Sequence, residues 1–213
     1  MEKNYAARHA RAAVTRQNLI NSSIRLINER GYNNTTIDDI CADCGISKGA
    51  FYHHFKTKMD IVSKLEAQVS AELYDLLFSE CEMDVSEKLQ TLLYSLLKGV
   101  EESGLEFVRQ RSIYNISGEY MKHAGEGSYA VSSRSITRKI LCQGIEKGEL
   151  SKDIPVDDVV EAVSTLMSGL ISSWTMNNGA FSVTKRAKEL GELVIPGMLR
   201  PYMVNKQDKG ETV

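Results

Sequence analysis

An all-α chain of about nine helices is what this sequence predicts, on three observations. Apolar residues recur at three- and four-residue spacing in segment after segment, and no long apolar–polar alternation that would read as a strand interrupts them. All three prolines (Pro155, Pro196 and Pro201) follow residue 154, so most of the chain lacks the residue that most strongly breaks a helix. Residues that cap helices stand at the segment boundaries.

Taken in order, the first helix is expected from Thr15, as N-cap, to Arg30, with Ile20, Ile24 and Ile27 on one face and Gly31 as its stop. Thr36 opens the second. Asp38 and Asp39 in its first turn suit the helix dipole, Ile37, Ile40 and Cys41 point inward, and Gly45 ends it. Ser47 caps a third, short helix. Two short helices joined by a glycine-containing turn form a helix-turn-helix pattern. On the third helix Phe51 and Phe55 are four apart and share a face, with Ala50 beside it, which is expected to pack on Ile24, Ile37 and Ile40. Lys48, Gly49, Tyr52 and His53 fall on other sides, and His54 sits at the boundary.

The fourth helix is expected over about 57–81, with Val62, Leu65, Val69, Leu73 and Leu76 on one side. Asp84 and Glu87 form a capping box for the fifth, which carries Leu89, Leu92, Leu93, Leu96, Leu97 and Val100. A sixth covers about 105–117, residues 118–127 read as a loop, and a seventh covers about 130–147 and ends at Gly148. Pro155 suits the first turn of the eighth, whose stripe runs Val156, Val159, Val160, Val163, Leu166, Met167, Leu170, Ile171 and Trp174 until Asn177-Asn178-Gly179 stops it. The ninth begins near Ser182 with Val183, Ala187, Leu190 and Val194, and Pro196 is expected to kink or end it. The polar tail after Met203 is expected to fray. The expected division is a helix-turn-helix domain at 1–58, a helical domain at 59–203 and a disordered tail at 204–213.

Composition narrows the function. Hydrophobic residues are 42% and charged residues 25%, ordinary for a soluble globular chain. Residues 162–184 carry no charge but hold too many Ser, Thr and Asn for a membrane span, so no membrane partner is expected. Four cysteines are too few and scattered for a disulfide framework, and the polar, basic start has no signal pattern, which fits a cytoplasmic home. The net charge of -2 hides an asymmetry: residues 1–58 hold nine Lys/Arg against five Asp/Glu, and three of the four histidines. A basic head on an acidic body suggests an anionic partner for the head. There is no phosphate-binding glycine loop, no HExxH, no GxSxG and no acid–base pair, so neither an enzyme nor a cofactor is expected.

The stretch TTIDDICADCGISKGAFYHHFKTKMDIV, residues 35–62, resembles the DNA-binding signature of the TetR/AcrR transcriptional regulators. The shared positions are Thr36, Ile40-Cys41, Cys44-Gly45, Ser47, Gly49, Phe51-Tyr52, Phe55 and Lys58; GELSKD…GL…W near 148–174 adds weaker support. The resemblance implies a regulator, usually a repressor, that binds a palindromic double-stranded DNA operator as a homodimer and responds to a small-molecule effector. It places Thr36, Ser47, Lys48, Gly49, Tyr52, His53 and Lys58 at DNA, with Arg8, Arg11 and Arg16 resembling a basic arm. It puts an effector pocket in the body, with Leu93, Leu97, Phe107, Arg111, Tyr114, Tyr120, Met167, Ile171 and Trp174 as its expected lining, and Arg109 or Arg111 turned inward would point to an anionic effector. The dimer interface is expected on the last two helices, at Val160, Ser164, Met167, Ser168, Ile171, Leu190 and Val194. The family usually has alanine at Cys41 and Cys44; these read as small core residues, the alternative being a TetR-like DNA-binding protein with a thiol- or metal-responsive switch there or with no effector, and no bound metal is expected.

Overall fold

The computed structural model describes residues 2–79, 82–116 and 129–204. Among them are nine α-helices: α1 (Glu2–Arg30), α2 (Ile37–Cys44), α3 (Lys48–His54), α4 (Lys58–Phe78), α5 (Val85–Ser103), α6 (Leu105–Ile116), α7 (Tyr129–Glu146), α8 (Val156–Met176) and α9 (Val183–Leu199). The expected loop at 118–127 and all but the first residue of the tail lie outside the described residues. No described helix is long and apolar enough to cross a membrane.

The chain divides into two compact units. The first comprises Met1–Glu66 and Ser103–Gly125, the second Ala67–Glu102 and Glu126–Val213. This corrects the expected cut at residue 58, because α6 belongs with α1–α3. Asn28 explains why: its side-chain amide donates to the Ser103 carbonyl (2.7 Å) and accepts from the Phe107 N–H (3.4 Å), while Phe107 packs on Ile27. Gly104 stands between those two contacts at φ +83°, and a Cβ added there would run into the Asn28 amide. We expect Gly104→Ala to lower the urea midpoint by an amount equivalent to about 1–3 kcal/mol, from the left-handed backbone and the displaced Asn28. An unchanged midpoint would mean that this junction does not hold α6 in place.

The core of the first unit is Leu19, Ile20, Leu26, Ile40, Cys41, Phe51, Phe55 and Ile61, with Ile24 and Ile37 at its edge. Thr15 is no cap. Its helix starts at Glu2, and its hydroxyl donates to the Arg11 carbonyl one turn back. In the second unit the α5 leucines are buried as expected, and Asp84 and Glu87 exchange the two bonds of a capping box (both 2.9 Å). On α4 the inward residues are Leu73 and Leu77, whereas Leu76 is 52% exposed, since a four-residue step from Leu73 stays on the face better than three. Val62, Leu65 and Val69 lie outside the described side chains.

Glu101 caps α9 by accepting from the Ser182 hydroxyl (3.1 Å) and the Thr184 N–H (3.2 Å). Pro196 does not end α9, which runs on to Leu199 before a short 3-10 turn over Arg200–Tyr202. The tail is held one residue further than expected, because the Val204 N–H donates to the Glu149 carbonyl (3.0 Å).

Candidate nucleic-acid interface

The helix-turn-helix is assembled from local signals. Thr36 caps α2: its hydroxyl oxygen accepts from the Asp39 N–H (3.1 Å), and Asp39 accepts from the Thr36 N–H (2.8 Å). The Thr36 hydroxyl also donates to the Asp39 carboxylate (2.6 Å), and this bond first, then that from the Thr36 N–H, holds the Asp39 carboxyl below the usual carboxylate range. Gly45, at φ +64°, closes α2, with its N–H on the Ala42 carbonyl (3.2 Å) and the Ile46 N–H on that of Cys41 (3.0 Å). Ser47 caps α3 by accepting from the Ala50 N–H (3.2 Å).

The two faces of α3 separate as the sequence predicts. Phe51 is fully buried and Phe55 is 2% exposed, while Tyr52 is 54% exposed and Lys48, Gly49 and His53 are open to solvent. His54 is half-buried, and its pKa is lowered by burial first, then by His53 and Arg16. Gly49 has no internal reason to be glycine: its φ is ordinary, and an added Cβ would meet only the Ser47 hydroxyl at 3.7 Å. Lys48 forms an ion pair with Asp38 of α2 (2.8 Å), both side chains 61% exposed.

Thr36, Ser47 and Arg11 are exposed, Arg16 is half-buried, and the side chain of Arg8 lies outside the described ones. The arm is thus helical backbone continuous with α1. Lys58 departs from expectation. It is half-buried, and its ammonium donates to the carbonyls of Tyr32 and Thr35 inside the unit. Sequence reading overlooked Lys56, which is exposed in the turn between α3 and α4. Its signal was a basic residue two places before the family lysine.

Cys41 is buried in the core, and burial pushes its thiol pKa up, which makes it less reactive; Cys44 is half-buried and reaches the Asn18 carbonyl (3.6 Å). Both fill alanine-like positions, so packing rather than a thiol switch accounts for them.

The expected effector residues divide between the two units. Leu93 lies against Gly191, where an added Cβ would be 3.4 Å from it. Leu97, Met167 and Trp174 are buried in the second unit, and Ile171 is half-buried. Phe107 and Arg111 belong to the first unit, where Arg111 is buried and engaged within the chain and Arg109 pairs with Glu106 (3.8 Å). The side chains of Tyr114 and Tyr120 lie outside the described ones. Two open grooves of the second unit, of about 310 and 340 Å³, are lined respectively by Gln90, Tyr94 and Lys188 and by Ser86, Pro196 and Arg200, among others, and by none of the expected residues.

The expected interface residues differ in how far their own chain covers them. Val160, Ser164 and Met167 are buried within their own chain, and Ile171, Leu190 and Val194 are half-buried; only Ser168 is exposed. The large apolar residues that α8 and α9 leave open are Met176 and Leu193, the latter 71% exposed.

A capped two-helix motif with one face of its second helix in the core and the other face polar, aromatic and open defines a DNA-binding helix-turn-helix protein. Residues 19–65 match the family model described as bacterial regulatory proteins, tetR family, and residues 119–201 match that of the MAATS-type transcriptional repressor C-terminal region. The chain belongs to the TetR family and is a DNA-binding transcriptional regulator. It is similar to the HTH-type transcriptional repressor BepR of Brucella suis, with 20% identity over 90% of this chain and 95% of the relative. It is likewise 22% identical to the fatty acid metabolism regulator protein of Bacillus subtilis, over 84% and 93%. Its fold is shared with the Bacillus subtilis regulator FadR in complex with stearoyl-CoA, at a TM-score of 0.61 and 19% identity over 85% of this chain and 98% of that one.

Proposed function

We propose that this regulator is a homodimeric repressor that reads a palindromic operator with the open face of α3 and leaves it when a small molecule binds in the second unit. The observation that carries the DNA part is the division of α3, with Phe51 and Phe55 in the core and Lys48, Gly49, Tyr52 and His53 outside. In a major groove, Lys48 at the start of α3 donates to a guanine edge or a phosphate, and the Gly49 backbone approaches closely. Tyr52 offers a hydroxyl to phosphate and a ring to a thymine methyl, and His53 donates to phosphate. Thr36 and Ser47 present hydroxyls, and the first N–H groups of α2, which have no partner inside the helix, point toward a phosphate. Arg11, Arg16 and Lys56 add backbone contacts.

Dimerisation is supported by the exposed Met176 and Leu193 and by Ser168 and Gly169, whose surroundings leave room for a second helix. Two copies of α3 then match a two-fold operator. Effector binding is supported by the stearoyl-CoA held by the Bacillus subtilis relative and by the Trp174 indole N–H, which is buried without a hydrogen-bond partner among the described residues. A ligand with an apolar body and an acceptor oxygen would suit it. Adding stearoyl-CoA to the DNA complex and reading loss of fluorescence anisotropy tests this; no release by acyl-CoA thioesters of any chain length removes that ligand class.

The Asp38–Lys48 pair gives a sharper test of the face assignment. Asp38→Asn frees Lys48 and removes a negative charge beside the DNA, so affinity for non-operator duplex should rise by roughly two- to fivefold at low salt, and the rise should fade with added salt. Unchanged affinity at every salt concentration would place Asp38 and Lys48 away from DNA.

A further inference from the structure

Family resemblance gives Lys58 to a phosphate, but the structure uses its charge elsewhere. The Lys58 ammonium donates to the Thr35 carbonyl (2.5 Å) and to the Tyr32 carbonyl, and it stands 3.7 Å from the centre of the Tyr32 ring. An ammonium has three hydrogens, and two are committed to carbonyls while the cation also rests on an aromatic face. Burial lowers its pKa, as expected of a lysine turned away from water.

The Thr35 carbonyl shares a peptide with the Thr36 N–H, and that N–H donates to Asp39 (2.8 Å). One peptide plane is therefore held at both edges, by Lys58 and by Asp39, and it is the plane that leads into the first turn of α2. The Thr35 side chain is fixed separately, its hydroxyl bonded to the carbonyls of Leu26 (3.1 Å) and Gly31 (2.9 Å). Lys58 itself starts from a rigid base. Thr57 and Asp60 exchange cap bonds, with the Asp60 N–H on the Thr57 hydroxyl and the Thr57 N–H on the Asp60 carboxylate, both at 3.1 Å.

We infer that Lys58 is a positioning residue for DNA binding: rather than touching phosphate, it aims the N-terminus of α2 through the Thr35–Thr36 peptide and ties that aim to the start of α4. The inference rests on the reading that Thr36 and the first turn of α2 face a phosphate. Any displacement of the start of α4 reaches the α2 terminus through this link.

The test uses the full chain and an operator duplex that the wild-type protein selects from a random-sequence pool. Wild type, Lys58→Gln, Lys58→Arg and Thr36→Ala are titrated at a series of salt concentrations, with melting temperature read alongside. Lys58→Gln should weaken operator binding about tenfold at fixed salt, the loss of misaligned neutral phosphate contacts. The slope of log K against log salt should not change, and Lys58→Arg should restore most of the affinity. A slope reduced by about 0.9 for each lost contact would make Lys58 a phosphate ligand and overturn the inference. So would Lys58→Gln binding at wild-type affinity with only a lower melting temperature, which would reduce Lys58 to a stabilising role. Thr36→Ala separates the two levels of argument. If it binds as wild type at every salt, the α2 terminus does not face phosphate and the underlying reading has failed. If it binds more weakly while Lys58→Gln does not, the positioning inference alone has failed.

Discussion

Phe51→Ala should lose about 3–5 kcal/mol of folding stability, as for a core aromatic truncated to a methyl group. The ring is fully buried among Leu19, Ile20, Leu26, Ile40, Cys41, Phe55 and Ile61. It packs 5.8 Å from the Phe55 ring centre and stands nearly edge-on to Tyr52 at 5.5 Å. Nothing else could take over its part. α3 is only seven residues long, too short to be helical without tertiary support, and its fully buried anchors are Phe51 and, just past its end, Phe55. Against a total stability of about 5–15 kcal/mol, this loss is large enough to leave the first unit partly unfolded near body temperature. Urea denaturation followed by far-UV circular dichroism would show the midpoint falling sharply. A midpoint within error of wild type would mean that the ring is not in the core.

Tyr52→Ala, one residue along, should do the reverse. The side chain is more than half exposed, with its ring against that of Phe51, so stability should stay within about 0.5 kcal/mol of wild type. Operator affinity should fall by about 1–3 kcal/mol, the usual worth of a good base-edge or groove contact. Because the side chain is neutral, the salt slope should be preserved. Tyr52→Phe divides the effect further: it keeps the ring against a thymine methyl and removes only the hydroxyl's bond to phosphate. Were Tyr52→Ala to melt the protein while Phe51→Ala bound DNA and folded normally, the two faces of α3 would have been exchanged.

The contrast between neighbouring residues was legible in the sequence because it depends only on helix geometry: residues four apart share a face, and Phe51 and Phe55 are four apart. The caps were legible for a similar reason. Thr36, Ser47, Ser182 and the Asp84–Glu87 pair act on backbone within three residues, and Gly31, Gly45, Gly148 and Gly179 stand at positive φ where only glycine is relaxed. What the sequence hid lies further apart along the chain. Thr15 looks the same whether it caps a helix or bonds back inside one. The grip of Lys58 on Tyr32 and Thr35 spans more than twenty residues, and that of Asn28 on Ser103 spans 75, so no local pattern announces either. An apolar stripe such as Val160, Ser164 and Met167 reads alike whether it is covered by its own chain or by another copy. Only burial within one chain separates those cases, and it moves the proposed contact to Met176 and Leu193.

The most direct test of the central claim is selection of duplexes from a random-sequence pool by the purified protein, followed by an anisotropy titration of the enriched sequence against a scrambled duplex of equal length at one salt concentration. The account predicts enrichment of a two-fold-symmetric sequence bound at least about a thousandfold more tightly than the scramble, with that margin shrinking in Tyr52→Ala. No enrichment, and equal salt-sensitive affinity for both duplexes in wild type and variant, would contradict it: the open face of α3 would then carry charge to DNA without reading its sequence.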